Sequence, residues 1–268
     1  MRFDKYQGLG NDYLFVWGEA ARGPELSRRL SDRRFGPGAD GMIWLSASRI
    51  ADFRMRIFNA DGSEAETCGN GLRCAGAYLF ERGLTKKTEL RIETGAGIAV
   101  LRLQIGEGIV QSVSVEMGQA SLLPAFTQCV HNPVSGAEEA VSVIPVSMGN
   151  PHAIIFVPDA EAVPLEQLGP VISTDPIYPA GTNVEFVQKI GERSLRMRVW
   201  ERGSGVTMAC GSGACAAVAA AVSQGLVPAG AEISVQLDGG ILFVTADRAL
   251  RILQRGPAAC VYTGEVPD

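Results

Sequence analysis

The chain has 268 residues, a net charge of −5 and 46% apolar residues. That length buries a core without disulfides or metal, and the composition is globular rather than disordered. The negative balance argues against nucleic acid or an anionic membrane as partner, since both require a basic face, and two histidines leave no room for a histidine-rich metal site.

The N-terminal residues, Met1-Arg2-Phe3-Asp4-Lys5, lack the apolar stretch of a signal peptide. The longest apolar run, Ala214 to Val222, is nine residues, about half of what spans a bilayer. Six cysteines are too sparse for a disulfide scaffold, so a cytoplasmic protein with reduced thiols is expected. Short runs rich in β-branched and aromatic residues predict strands at 13–16, 42–45, 55–58, 101–105, 112–115, 153–157, 184–187, 195–200 and 241–244. Surface helices are expected over 25–34 and around Glu166. Two segments differ from these. Residues 211–225 are dense in alanine, end at Gly225 and have no polar face, and 69–83 starts in a similar way. A helix apolar all round is a buried helix. The stretch 121–145, rich in Pro, Ser, Gly and Glu, reads as a connecting region.

The chain also repeats itself. Met55-Arg56-Ile57-Phe58 and Cys68-Gly69-Asn70-Gly71 return 142 residues later as Met197-Arg198-Val199-Trp200 and Cys210-Gly211-Ser212-Gly213. Gly10-Asn11-Asp12-Tyr13 matches Gly149-Asn150-Pro151-His152 at offset 139, and Gly38-Ala39-Asp40 matches Gly181-Thr182-Asn183 at offset 143. Matches in the same order at nearly constant offset indicate a duplicated domain. An α+β fold is therefore expected, with two pseudo-symmetric lobes, 1–118 and 119–257. Residues 258–268 would return to the first lobe as a strand. Each lobe is expected to be a curved, mostly antiparallel sheet around one central buried helix, with the site in the cleft between the lobes.

Cys68 and Cys210 stand where the two buried helices open. A helix N-terminus carries about half a positive charge and favours a thiolate. A free thiol at pH 7 otherwise spends about 2 kcal/mol to ionise. The same free amides of Gly69-Asn70 and Gly211-Ser212 suit a carboxylate. Two thiols facing one carbon can remove a proton from one face and supply one to the other, which is two-base racemisation or epimerisation. Cys74, Cys129, Cys215 and Cys260 read as small packing residues. Zinc is not expected, because neither Cys68–Cys74 nor Cys210–Cys215 has the two-residue gap of a zinc knuckle. Gly211-Ser212-Gly213-Ala214-Cys215-Ala216 fits a loose dinucleotide fingerprint, but nine residues separate it from the strand ending near Glu201.

Asn11, Asn59, Asn70, Asn150 and Asn183 lie in loops, where an amide is either a turn former or a neutral, directional ligand for a zwitterion. Glu201-Arg202 reads either as a solvated salt bridge or as an ammonium and carboxylate pair of sites. His152 reads either as a satisfied core histidine or as a base that tunes a thiol. A pyridoxal enzyme needs a Schiff-base lysine, and the four lysines, at 5, 86, 87 and 189, lie outside all these motifs.

The segments Gly8-Leu9-Gly10-Asn11-Asp12-Tyr13, Phe58-Asn59-Ala60-Asp61-Gly62-Ser63, Cys68 to Cys74, Gly149 to His152, Gly181 to Phe186, Glu201-Arg202-Gly203 and Ala209 to Gly213 run in order over nearly the whole chain. In them the chain resembles the diaminopimelate epimerase family, which inverts one α-carbon between the LL and meso forms of 2,6-diaminopimelate. The resemblance implies a small-molecule substrate, Cys68 and Cys210 as the acid–base pair, and neither pyridoxal phosphate nor metal. It implies that Gly69, Asn70, Gly211 and Ser212 hold the carboxylate at the reacting centre. Asn11, Asn59, Asn150, Asn183, Glu201 and Arg202 would bind the substrate, several at its distal end, and His152 and Glu201 would adjust the thiols. It further implies a cytoplasmic homodimer in lysine and peptidoglycan precursor synthesis. Gly41 departs from members that carry Gln there, so a side-chain contact to substrate is absent at that position. A related cofactor-independent racemase of proline, hydroxyproline or histidine, or an amino-acid-binding protein with structural thiols, are the other readings.

Overall fold

Two residues at positive φ, Leu9 (58°) and Gly10 (92°), turn β1 (Arg2–Gly8) back into β2 (Asn11–Trp17), with Gly8 opposite Asn11. Such a turn has the twist that paired strands need. In this computed structural model, which describes residues 1–133 and 136–267, the chain divides into two compact units. One comprises Met1–Glu116 with Arg255–Asp268, the other Met117–Gln254.

In the first unit, β2 leads into α1 (Gly23–Leu30), which has Pro24 in its first turn and Arg28 and Arg29 in its last, as the helix dipole favours. The helix expected to reach residue 34 stops at Leu30. Past it, the Asp32 carboxylate accepts the amides of Arg34 and Phe35 and folds the chain into a turn. Next come β3 (Gly41–Ala47), β4 (Phe53–Asn59), β5 (Glu64–Ala65), α2 (Gly69–Glu81), β6 (Glu89–Thr94), β7 (Gly97–Gly106) and β8 (Ile109–Gln119). Strand β3 pairs in parallel with β2 and β6 in parallel with β4, while β3–β4, β4–β5, β6–β7 and β7–β8 are antiparallel.

Both faces of this sheet are covered, which is why its strands read as continuous apolar runs. Leu14, Val16, Met42, Trp44 and Phe58 pack with Leu30 of α1. The alternate residue Phe15 instead stacks on Tyr78 of α2, with ring centroids 5.4 Å apart. Every residue of α2 from Asn70 to Leu79 is buried. Gly76 lets β7 approach, since a Cβ there would lie 2.8 Å from Leu103 Cδ2.

The second unit contains β9 (Ser121–Leu122), β10 (Phe126–His131), β11 (Glu138–Ser147), β12 (Pro151–Phe156), α3 (Leu165–Ser173), β13 (Asn183–Gly191), β14 (Ser194–Glu201), β15 (Gly205–Val206), α4 (Gly211–Ser223), β16 (Glu232–Leu237) and β17 (Gly240–Ala246). The region 121–145 is thus not merely a connection. Phe126–His131 pairs antiparallel with Glu138–Val143. Its sequence alternation is masked by Gln128, a polar residue buried on the inner face, where its Oε1 accepts from the Tyr178 hydroxyl at 3.3 Å. Residues 134 and 135 of that region lie outside the described residues. Strand β18 (Arg251–Gly256) follows, and β19 (Ala259–Glu265) pairs antiparallel with β1, Phe3 opposite Gly264.

The pairing scheme of the first unit recurs in the second. Strand β11 is antiparallel to β12, β12 parallel to β13, β13 antiparallel to β14, β14 antiparallel to β15 and parallel to β16, and β16 antiparallel to β17. Register also corrects one equivalence. Tyr13 pairs with Gly41 and His152 with Asn183. Asn183 therefore corresponds to Gly41, at the offset of 142 found for the cysteine motifs, and not to Asp40. Helix α4 is buried from Gly213 through Ala221 and packs against β11, β12, β13, β14 and β17.

Candidate active site

Each motif cysteine is the N-cap of a buried helix. Cys68 has extended backbone (φ −152°, ψ 119°), and its Sγ accepts the amide of Gly71 at 3.4 Å. Cys210 is also extended (φ −113°, ψ 109°), and its Sγ accepts the amide of Gly213 at 3.3 Å. A sulfur in this position takes one of the amides that a helix start leaves unpaired. The third residue after each sulfur must be small. A Cβ on Gly71 would come within 2.9 Å of Ile43 Cδ1. On Gly213 it would come within 2.6 Å of Glu185 Oε1 and 3.2 Å of the Cys210 sulfur.

In the first unit, a chain of side chains ends at the mouth of α2. Arg33 donates to Asp40 Oδ1 at 2.8 Å, and Asp40 Oδ2 accepts from the Asn11 amide at 3.2 Å. Asn11 Oδ1 in turn accepts from the Asn70 amide at 2.5 Å. Asn70 is 4% exposed, and its Oδ1 has no hydrogen-bond partner among the described residues. Buried amide oxygens are rarely left so. Cys68 is half-buried, with the Tyr13 hydroxyl 3.2 Å from its sulfur. Asn59 stands apart from this chain, and its amide donates to Ser63 Oγ at 3.0 Å. Gly41 lies opposite Asn59 in β3–β4, and a Cβ there would fall 2.3 Å from the Phe58 carbonyl oxygen. No side chain fits that backbone unchanged.

In the second unit the polar chain is longer. Glu185 and His152 are both fully buried, with His152 Nδ1 2.6 Å from Glu185 Oε1 and His152 Nε2 3.1 Å from Asn150 Oδ1. The Asn150 amide donates to Ser212 Oγ at 3.3 Å, and Ser212 Oγ lies 3.6 Å from the Cys210 sulfur. Asn183 bridges backbone, donating to the Pro151 carbonyl and accepting the Arg202 amide, each at 2.9 Å. Glu201 accepts from Thr207 Oγ1 at 2.5 Å, whereas the Arg202 guanidinium donates to the Ala180 carbonyl at 3.0 Å. The two side chains do not pair with each other among the described residues. Arg202 also borders an open hollow of about 690 Å³ lined by Tyr178, Trp200 and Thr174.

Electrostatics at Cys210 runs against the helix N-terminus. Burial raises the Cys210 thiol well above its ordinary value, and the carboxylates of Glu201 and Glu185 raise it further. The Ser212 hydroxyl and the Gly213 amide pull the other way without prevailing. At Cys210, burial and the two carboxylates thus outweigh the first-turn amide and the Ser212 hydroxyl. Burial likewise raises Glu201, against the Thr207 hydrogen bond. In the first unit, burial pushes the Cys74 thiol of α2 up to about 12, as suits an inert packing residue.

Cys68, Asn11 and Asn70 thus come together in the first unit. Cys210, Ser212, Asn150, His152 and Glu201 come together in the second, with Asn183 holding the Arg202 backbone. Glu185, Tyr13 and Thr207 escaped the sequence reading. Glu185 had one signal, a charged residue inside the apolar strand Val184-Glu185-Phe186-Val187.

The diaminopimelate epimerase family model matches residues 3–123 and 144–261. A diaminopimelate epimerase from Pelotomaculum thermopropionicum is 44% identical, covering 100% of this chain and 99% of that protein. One from Geobacillus kaustophilus is 43% identical, with 98% and 95% covered. Among solved structures, a PhzF-family phenazine biosynthesis protein from Bacillus anthracis is 20% identical with a TM-score of 0.78, covering 100% of this chain and 99% of that one. A hydroxyproline epimerase from Agrobacterium vitis with bound trans-4-hydroxy-L-proline is 16% identical with a TM-score of 0.75, covering 98% and 91%. At these identities the structural likeness concerns the fold alone. Matches to the family model and to full-length relatives, joined to the paired cysteine-capped helices, show that this chain belongs to the diaminopimelate epimerase family of isomerases.

Proposed function

We propose that the protein interconverts LL- and meso-2,6-diaminopimelate by proton transfer between the substrate α-carbon and two thiols. The observation that carries this reading is the equivalence of Cys68 and Cys210. Both cap a buried helix, both accept the amide three residues on, and both occupy the same position in a repeated strand scheme. One sulfur removes the α-proton as thiolate. The other, as thiol, supplies a proton to the opposite face, and the carbon inverts. Each turnover leaves the two sulfurs with exchanged protonation states, ready for the reverse direction.

The intermediate carries its charge on the carboxylate oxygens. The first-turn amides at Gly69-Asn70 and Gly211-Ser212 suit that charge, and their hydrogen bonds strengthen as it develops. Cys210, whose proton affinity is raised by burial and by Glu201 and Glu185, is suited to the donor role at the start of a turnover. Asn11, Asn59, Asn150, Asn183, Glu201 and Arg202 would bind the substrate, several of them at its distal ammonium and carboxylate. No cofactor enters this chemistry. His152 and Glu201 would set the proton affinity of Cys210. Kinship with the relatives supports a place in lysine and peptidoglycan precursor synthesis, in the cytoplasm and as a homodimer. No helix among the described residues is long and apolar enough to cross a membrane.

A substrate panel tests the reading. With reductant present, LL-diaminopimelate should be converted to the meso form, and proline, hydroxyproline and histidine should not exchange their α-hydrogens. Exchange confined to one of those three would replace the substrate, and exchange of none of the four would reduce the protein to a binder.

A further inference from the structure

The position equivalent to His152 in the first unit is Tyr13, by register and by motif. The two residues serve their thiols differently. The hydrogen bonds of His152 reach the Cys210 sulfur through Asn150 and Ser212 rather than directly. The Tyr13 hydroxyl lies 3.2 Å from the Cys68 sulfur itself, on a side chain that is almost fully buried. We propose that Tyr13 is a catalytic residue of the Cys68 half-site: its hydroxyl donates to the Cys68 thiolate and accepts from the Cys68 thiol. The inference rests on the reading of Cys68 as a proton-transferring thiol.

Three features carry it. The first is contact. Cys68 Sγ has two hydrogen-bonding neighbours among the described residues, the Gly71 amide at 3.4 Å and the Tyr13 hydroxyl at 3.2 Å. The amide can only donate, so it favours the thiolate over the thiol, whose sulfur is the weaker acceptor. The hydroxyl can rotate between donor and acceptor and so fits both states of the sulfur without itself gaining or losing a proton. The second is that the hydroxyl keeps its proton. Burial raises Tyr13 well above the ordinary tyrosine value, and the charge of an ionised Cys68 raises it further. It therefore remains an O–H donor while the sulfur ionises. The third is what faces it. The other titratable groups acting on Tyr13 are Asp40 and Cys74. Asp40 is paired with Arg33 at 2.8 Å, and Cys74 stays protonated to about 12. Neither is among the hydrogen-bonding neighbours of the Cys68 sulfur.

The test is Tyr13→Phe in the full-length protein, which removes one oxygen and keeps the ring. Alkylation of Cys68 by iodoacetamide is followed against pH by peptide mass spectrometry. A hydrogen bond to an anion is worth enough to move a midpoint by about one pH unit. The Cys68 midpoint should rise by about that much, with Cys210 unmoved as the internal control. The ratio kcat/KM should fall about tenfold near neutral pH and recover at alkaline pH. A purely structural tyrosine would lower activity at every pH alike. If the variant does not fold, 3-fluorotyrosine placed at position 13 provides the opposite perturbation. Its more acidic hydroxyl is a stronger donor and should lower the Cys68 midpoint. An unchanged Cys68 midpoint in either variant would overturn the inference. Full epimerase activity in Cys68→Ser would instead overturn the two-thiol reading, whatever the alkylation profile.

Discussion

Alanine at Gly213 separates the geometry of the Cys210 half-site from the stability of the fold. Gly213 sits in the first turn of α4 with ordinary helical backbone, so a Cβ brings no backbone strain. Alanine should favour the helix by roughly 0.8–1.0 kcal/mol over glycine. The added methyl nevertheless points at two functional atoms. Its carbon would lie 2.6 Å from Glu185 Oε1 and 3.2 Å from Cys210 Sγ. Ordinary contact begins near 3.4 Å, so the carboxylate must move by about 0.8 Å and the sulfur by a few tenths. Glu185 cannot retreat freely, because it is fully buried and held to His152 at 2.6 Å. A misplacement approaching 1 Å in a group that surrounds the reacting atom costs on the order of a hundredfold in rate. The expected outcome is a melting temperature within about 4 °C of the parent and a fall in kcat of about two orders of magnitude.

The repeat supplies the control. A Cβ on Gly71 meets only the terminal methyl of Ile43 at 2.9 Å and stays 3.8 Å from the Cys68 sulfur. A methyl group at the end of a flexible side chain can give way. Gly71→Ala should therefore keep activity within about tenfold of the parent. Both variants are assayed by epimerisation of LL-diaminopimelate and by thermal unfolding followed by circular dichroism. If Gly213→Ala retains half of the parent activity, or if Gly71→Ala loses as much as Gly213→Ala, the half-site geometry described above is wrong.

Further outcomes follow from the charges. Glu185 Oε1 and Cys210 Sγ lie 2.6 and 3.2 Å from one point beside Gly213, so they are at most about 6 Å apart. At an effective dielectric of about 20, one charge at that distance is worth ~2.8 kcal/mol, or about two pH units. Glu185→Gln should accordingly lower the pH at which Cys210 is alkylated by one to two units, and a rise would contradict the assignment of Glu185 as a repulsive charge. Asp12 bears on stability instead. Burial opposes its ionisation, but hydrogen bonds and charge from Arg33 and Lys5 outweigh burial and hold it below the ordinary value. A depressed carboxyl contributes stability above its unfolded value, about 3.9, and that contribution is lost as pH falls through the folded value. Unfolding temperatures from pH 7 to pH 2.5 should therefore show a steeper acid loss in the parent than in Asp12→Asn. Parallel curves would show that Asp12 contributes nothing to the acid limb.

Much of the site was legible before any coordinates because the chemistry is local. Cys68 and Cys210 stand at helix mouths that can be read from the glycines after them and the apolar segments that follow. Glu185 was not legible, since its role comes from strand register. It lies two residues beyond Asn183, which pairs with His152 across the parallel β12–β13 ladder, so their side chains share a face. Nothing within the segment Asn183-Val184-Glu185-Phe186 encodes that neighbour. The same holds for Tyr13, whose hydroxyl meets Cys68 only because β2 and α2 are packed together. The end of α1 and the strand β10 are hidden in the sequence for a different reason. In each, one polar residue, Asp32 or Gln128, makes a specific hydrogen bond that overrides the pattern around it.

Label transfer in the first turnover tests the central chemistry most directly. With LL-diaminopimelate in D2O and enzyme thiols equilibrated with solvent, the two-thiol mechanism is expected to place one deuterium on the inverted carbon of every meso molecule formed, while remaining LL substrate stays largely unlabelled early in the reaction. Meso product that retains the original hydrogen at that carbon would mean that a single group carries the proton from one face to the other, and the paired-thiol mechanism would be wrong.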